Sequence, residues 1–420
     1  MAGLTRRAFV AMITAGALTA IAASQAQAEA LPAVPTRALL SPPPTLTRNG
    51  TNLLVRGQAR RLSGANAYWV GLNDNARDGG GAPTLPSHAS LTAAFAGMQS
   101  MGARLVRAHT VGISAGTSKS FETAAGVYSD SNLDSADWAV YEAKQSDIHL
   151  MVPVTDQWNY YHGGKGVFVH WAYQQDRTGL VDVASPEHLF DAHGAQKGST
   201  SEDQFFATTP GGLRIRALFK DYLYRWLNHM NPYTGLAYKD DPTIAIIETG
   251  NEIWSATPEW TEDIAAFIKS IAPRKLVADG SAATGLAVAN APGLHAPHVD
   301  IVGAHYYAAD SNWAPAPLMT LAAQLDSDVS AAQQAGKVFI LGEYPWTRAD
   351  IAQWHSKVEG DSRIASDMMW SFVNAEEVHG GSFGGDDFGV HWPYRGTEEK
   401  RYAPALARHM GAVSGVAVLG

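Results

Sequence analysis

Two glutamates stand where a carboxylate needs a reason. Glu252 follows Asn251 in "TGNEIW" (249–254), directly after the apolar run "PTIAIIE", and Glu343 closes another apolar run, "KVFILGE" (337–343). A buried strand that ends in an amide and a carboxylate is either a polar strand end meeting water or half of an active site. Two carboxyls about 5 Å apart suit retaining glycoside hydrolysis, in which one protonates the leaving oxygen and the other attacks the anomeric carbon. Such a pair works only if its surroundings pull the two pKa values apart. Arg107, in "ARLVRAHT" (103–110), and a tyrosine hydroxyl would favour an ionised nucleophile.

Elements must bring these groups together. Short β-branched or apolar runs recur at 61–68, 103–110, 148–155, 243–249, 275–281, 299–307 and 337–343, with a weaker eighth at "HGGSFGG" (379–385). Between them, segments such as "HASLTAAFAGMQSMG", "RIRALFKDYLYRWLNHMN" and "SRIASDMMWSFVNAEEV" space apolar residues at helical intervals. Eight strand–helix repeats predict an α/β fold, a (β/α)8 TIM barrel, with an open doubly wound sheet as the alternative. Asn49-Gly50 predicts an N-terminal β-hairpin, although "NGT" also matches a glycosylation acceptor. A long loop is expected after strand 3, over 158–210, on the face where barrel active sites form.

On that face the strand ends are rich in chemistry. The second run ends in Arg107 and His109, and the third in Asp156, Gln157 and Trp158. The sixth ends in His305, Tyr306 and Tyr307, and the seventh in Glu343, Tyr344 and Trp346. Taken singly, each has a plainer reading: a salt bridge for a glutamate, an ion pair for Arg107, a core imidazole for His305, packing for each tryptophan. Jointly, aromatic rings around paired carboxylates suit the stacked C–H faces of a sugar.

Other chemistries find less support. "HAPH" (295–298) offers two histidines without a third ligand at metal spacing, and "GGDDFG" (384–389) has too few ligands for calcium. No metal or cofactor is expected. There is no cysteine, so neither a thiolate nor a disulfide is available. A net charge of -9 does not suggest a nucleic-acid partner. The hydrophobic share of 46%, with 12 Trp, is enough for a large core with rings left over for a binding surface. "TRRAFVAMITAGALTAIAASQAQA" reads as an export signal over 1–28, its Arg6-Arg7 pair pointing to the twin-arginine type. An ordinary secretory signal and a membrane anchor are the alternatives. A Pro-rich linker follows at 29–44, then a single catalytic domain over 45–420. The tail after residue 400 is too short for a separate carbohydrate-binding domain. The expectation is a secreted or periplasmic monomer without a membrane anchor.

The order of these motifs resembles glycoside hydrolase family 5, within the clan of retaining barrel enzymes, and is most similar to its endo-β-1,4-mannanases. The likeness runs from about Thr45 to Arg395. "GANAYW" resembles the first strand, "RLVRAHT" the arginine strand, "IAIIETGNE" the acid/base strand, "GAHYY" the His-x-Tyr strand and "VFILGEYPW" the nucleophile strand. The resemblance implies Glu252 as acid/base and Glu343 as nucleophile. It implies Asn251 on the sugar 2-hydroxyl, Arg107 and Tyr307 around Glu343, and His305 beside Glu252. Trp158, Trp346 and Trp392 are the expected sugar-facing rings. Three positions depart from the pattern: His109 stands where tryptophan is usual, Ile253 where proline is usual, and the expected eighth strand carries Phe383 and Gly384 with Trp392 further on. The substrate implied is β-1,4-mannan or a related β-linked glycan. An exo-β-mannosidase, a β-glucanase or a non-catalytic carbohydrate-binding barrel are the alternatives.

Overall fold

The computed structural model describes residues 45–73, 83–158, 160–181, 200–282, 285–309, 315–373, 389–391 and 397–418. The expected export signal and linker lie outside these residues. So do Trp392, Phe383, Gly384, Asp386 and Asp387.

Eight parallel strands close into a barrel: β1 (Leu62–Asn66), β2 (Leu105–Arg107), β3 (His149–Pro153), β4 (Ile244–Glu248), β5 (Leu276–Ala278), β6 (Ile301–His305), β7 (Val338–Glu343) and β8 (Ile364–Trp370). Each pairs with its neighbour in sequence, and β8 returns to β1 with Trp370 opposite Asn66. The open-sheet alternative is thereby excluded. Around the barrel run α1 (His88–Ser100), α2 (Asp134–Gln145), α3 (Lys165–Gln175), α4 (Pro210–Asn228), α5 (Pro258–Ile271), α6 (Ala322–Gln334), α7 (Ile351–Gly360) and α8 (Thr397–Ser414). Among the described residues, the β5–β6 connection carries only a 3-10 turn at Val288–Asn290.

The helix starts follow local chemistry. Thr209 and Thr257 each accept a bond from an otherwise orphaned N–H of the first turn, at Gly212 and Trp260, and a proline opens both α4 and α5. The long segment after β3 contains α3 and a 3-10 helix at Thr200–Phe206.

Two apolar layers hold the barrel. An inner cluster joins the strand starts Leu62, Leu105, Leu276, Ile301 and Val338 to Leu46 and Leu53. The last two come from the predicted hairpin, Leu46–Asn49 paired antiparallel with Asn52–Val55. Gly50 takes the left-handed turn conformation, φ 58°. The hairpin therefore plugs the end of the barrel opposite the strand C-termini, and Arg48 pins it there on Asp300 at 2.8 Å. The outer cluster packs helix faces on the strand backs, with Trp226, Trp260 and Trp354 fully buried. Each buried aliphatic side chain contributes about 1.5–3 kcal/mol.

The eighth strand corrects the sequence reading. β8 lies in "SRIASDMMWSFVNAEEV", expected as helix, and not at 379–385, which falls outside the described residues. The cause is Asp367. A buried aspartate in mid-strand breaks the continuous apolar run that marks a barrel strand. It is accommodated because Tyr344 Oη donates to it at 2.8 Å and His409 of α8 lies at 2.9 Å. For both groups burial is the largest influence and opposes charge. The His409 charge and bond nevertheless take Asp367 below its usual 3.8, and Asp367 with Glu359 takes His409 above its usual 6.5. The Asp367 contribution is present above the unfolded carboxyl pKa and fades as pH falls through its lowered folded value. The His409 contribution is present below the unfolded imidazole pKa and fades as pH rises through its raised folded value. His409→Ala should therefore cost about 3 kcal/mol between roughly pH 4 and 6.5. Thermal melts of both proteins against pH should show the difference narrowing on the alkaline side.

Candidate active site

The strand C-termini deliver a continuous polar cluster. Arg107, at the end of β2, has no solvent contact. Its Nε donates to Glu248 at 2.7 Å, and one terminal nitrogen donates to Glu343 at 2.7 Å and to Asn66 at 3.2 Å. The same nitrogen lies 2.9 Å from His109 Nε2, and the other terminal nitrogen donates to Asn251 Oδ1 at 2.8 Å. Glu248 is a partner the motif reading missed. Only its place two residues before "GNE" could have marked it.

Asn251 and Glu252 sit just past β4, where the backbone is unusual. Asn251 bridges to Asp156 beyond β3 and donates its amide to Asp156 Oδ1 at 3.0 Å. Glu252 has φ 51°, a left-handed conformation rare for a residue with a Cβ and common at functional sites. Gly280, past β5, makes this close approach possible: a Cβ there would lie 2.0 Å from the Gly250 carbonyl oxygen. The "TGNE" turn thus needs a glycine on the neighbouring strand as well as its own.

Glu252 is held by two partners. Trp158 Nε1 donates to Oε2 at 2.8 Å, and His305 Nδ1 lies 2.9 Å from Oε1. Glu343 is held by Arg107 on Oε1 and by Tyr307, whose hydroxyl donates to Oε2 at 2.8 Å. A register shift between Ala304 and His305 re-aims the end of β6 so that His305 pairs with Glu343 on β7. A carboxylate oxygen of Glu252 and one of Glu343 lie within 4.8 Å of each other. That is the separation of retaining pairs and below the roughly 6.5–9.5 Å of inverting ones.

Burial is the largest influence on both carboxyls. It raises Glu343 above the usual carboxylate range, helped by the Glu252 charge and opposed by His305, Arg107 and Tyr307. At Glu252 burial is outweighed: the bonds from His305 and Trp158, with the His305 and Arg107 charges, leave it below the usual range. The surroundings thus pull the two pKa values apart, Glu343 upward and Glu252 downward, opposite to the directions expected for a nucleophile and an acid.

Glu252, His305 and Glu343 are also the one group among the described residues with the spacing of a metal site. Its oxygens already accept from Arg107, Tyr307 and Trp158, and the guanidinium 2.7 Å from Glu343 disfavours a second cation. The set suits an uncharged polyol better than a metal ion.

The other predicted residues divide. Trp158 lines the mouth beside Trp254, ring centroids 5.3 Å apart, and Trp254 is 42% exposed. Trp346, also expected to face a sugar, is buried and belongs to the outer apolar cluster. β8 itself ends in an aromatic, Trp370, stacked on Tyr68 at 5.4 Å and edge-on to His109 at 5.5 Å. It was overlooked because its strand was read as a helix. In "HAPH", His298 pairs with Glu262 away from this cluster.

A family model described as GH family 5 beta-mannosidase-like matches residues 45–349. The chain belongs to this family. Among the curated relatives of this family 5 chain is a mannan endo-1,4-beta-mannosidase 4 of Oryza sativa subsp. japonica, 29% identical over 240 residues, which are 55% of this chain and 44% of that protein. Another is the mannan endo-1,4-beta-mannosidase 4 of Solanum lycopersicum, 29% identical over 239 residues, 55% of this chain and 51% of the relative. The chain thus spans about half the length of the curated relatives it matches. Solved structures share the fold. A family 5 mannosidase from Rhizomucor miehei has a TM-score of 0.66 at 17% identity, covering 88% of this chain and 98% of that one. The endo-beta-1,4-mannanase of Thermotoga petrophila has a TM-score of 0.64 at 18% identity, covering 87% of this chain and 79% of that one.

Arg107→Lys should destabilise the family 5 barrel by about 3 kcal/mol, because one ammonium cannot serve four acceptors in three directions and leaves buried carboxyls unpaired. Urea unfolding at neutral pH would measure it.

Proposed function

We propose that the chain is a retaining β-glycoside hydrolase acting on β-1,4-mannan. The observation that carries this reading is the Glu252–Glu343 pair, with oxygens within 4.8 Å and separately held. In the proposed cycle Glu343 attacks the anomeric carbon and forms a glycosyl ester. Glu252 donates its proton to the departing oxygen, then takes one from the water that cleaves the ester. Arg107 and Tyr307 aim Glu343 through its two oxygens. The positive charge that develops at the anomeric carbon favours the ionised form of Glu343. A glycosidic oxygen at Glu252 makes the protonated form useful there. Substrate thereby favours the division of protons that the cycle needs. Asn251 faces the 2-hydroxyl of the attacked sugar, Trp370 carries that sugar's flat face, and Trp158 lies under the leaving sugar.

The mannan substrate is carried by the family and by the names of its relatives. The export signal at 1–28, the linker at 29–44 and the catalytic unit from 45 onward are part of the same proposal, for a secreted or periplasmic enzyme. Among the described residues no helix is long and apolar enough to cross a membrane. One chain supplies every group of the site, so a monomer suffices.

Glu343→Gln should lower turnover of manno-oligosaccharides by at least about 10³-fold while binding persists, as calorimetry would show. Full turnover by this variant would remove Glu343 as nucleophile. Glu252→Ala should lose activity on mannan and regain it with azide on an activated aryl β-mannoside, yielding the β-mannosyl azide. Products from mannan distinguish endo action, which releases oligosaccharides, from exo action, which releases mannose.

A further inference from the structure

Both carboxylate oxygens of Glu252 are engaged. Trp158 Nε1 is 2.8 Å from Oε2 of Glu252, and His305 Nδ1 is 2.9 Å from Oε1. An indole N–H is a donor only. The oxygen facing it must accept, and it accepts best as an anion. A carboxyl that places its own proton on Oε2 and aims it at a glycosidic oxygen has to give up much of that bond.

Trp158 is placed so that this exchange can happen. It follows β3 by a short turn in which its own backbone N–H donates to Asp156 Oδ1 at 3.0 Å. Its backbone is therefore anchored to the residue that also holds Asn251. Its ring is only half-buried. The ring meets Trp254 edge-on at 5.3 Å and Tyr160 nearly parallel at 6.2 Å. These three rings stand on the Glu252 side of the site, where the departing part of a substrate belongs. The charged and titratable groups around Glu252 are His305, Arg107, Glu343, Tyr307 and Asp156. Of these only His305 bonds to it directly.

We propose that Trp158 is a positioning residue for the proton donor: its indole N–H holds Oε2 of Glu252 in the empty and glycosylated enzyme and is displaced by the leaving-group oxygen when substrate binds. This rests on the acid/base reading of Glu252. With the indole bond made, Glu252 is an acceptor, the form needed to take a proton from water in the second half of the cycle. With the bond broken by the arriving glycoside, Oε2 is free to carry a proton toward it. The same side chain then remains as part of the ring platform under the leaving sugar. Sugar length on that side should therefore influence proton transfer as well as binding.

The test is Trp158→Phe, which keeps a ring and removes the donor. Hydrolysis of a manno-oligosaccharide is followed against pH for both proteins. The alkaline limb of kcat/KM reports the essential acid of the free enzyme. Losing a donor to the charged form raises the pKa of Glu252, and because Glu252 and Glu343 titrate as a coupled pair the pair's upper apparent pKa rises with it, so the limb should move up by as much as about one pH unit. Trp158→Met, also without a donor, should move it likewise and replaces the Phe variant if that does not fold. A limb that stays in place, with activity lowered evenly at all pH values, is what a merely structural ring gives, and it overturns the proposal. Glu252→Ala is run beside it. If that variant stays fully active, the acid/base reading itself fails. If it is inactive and rescued by azide while the Trp158 variants leave the limb unmoved, only the role of Trp158 fails.

Discussion

Arg107 binds the strand ends together. Its guanidinium has no access to water, so its charge is tolerable only through the groups it touches. Those groups come from β1, β4 and β7 and from the turn beyond β4: Asn66, Glu248, Glu343 and Asn251. Each bond constrains two things. It satisfies the buried cation, and it fixes where a strand end points. The site is therefore not a set of side chains placed independently on a rigid barrel. It is one hydrogen-bonded body in which Glu343 is oriented by the same residue that closes the barrel's polar layer.

Around that cation stand more carboxyls than it can neutralise. Glu248, Glu252 and Glu343 all lie within its influence, and burial raises Glu248 and Glu343. Glu252 escapes that rise because neutral donors and nearby positive charge reach it. Neighbouring carboxyls around one cation are thus pulled in opposite directions, Glu343 upward and Glu252 downward.

Much of this could be read from the residues. Most of the barrel strands lie in short runs rich in apolar or β-branched residues, and Glu343 closes one of them directly. The hairpin was announced by Asn49-Gly50. The eighth strand was hidden because Asp367 and Ser366 sit inside it, and the histidine that pairs with Asp367 is in α8, far along the chain. That single misreading also hid Trp370. Nothing local in "YPW" shows that Trp346 joins the apolar cluster. Glu248 was invisible as a site residue because its role is defined only by Arg107 on another strand.

The closure of β8 on β1, with Leu62 opposite Ser366, joins residues separated by most of the domain. Loops of that length close slowly, and contacts of high sequence separation form late. Asn66 bonds back to the carbonyl of Gly342 and to that of Met369 in β8. The first strand is therefore completed by nearly the last. A chain still leaving the ribosome, or one cut between these strands, possesses both glutamates and the arginine yet has no cleft in which they meet. The cleft is complete only once these two strands have paired.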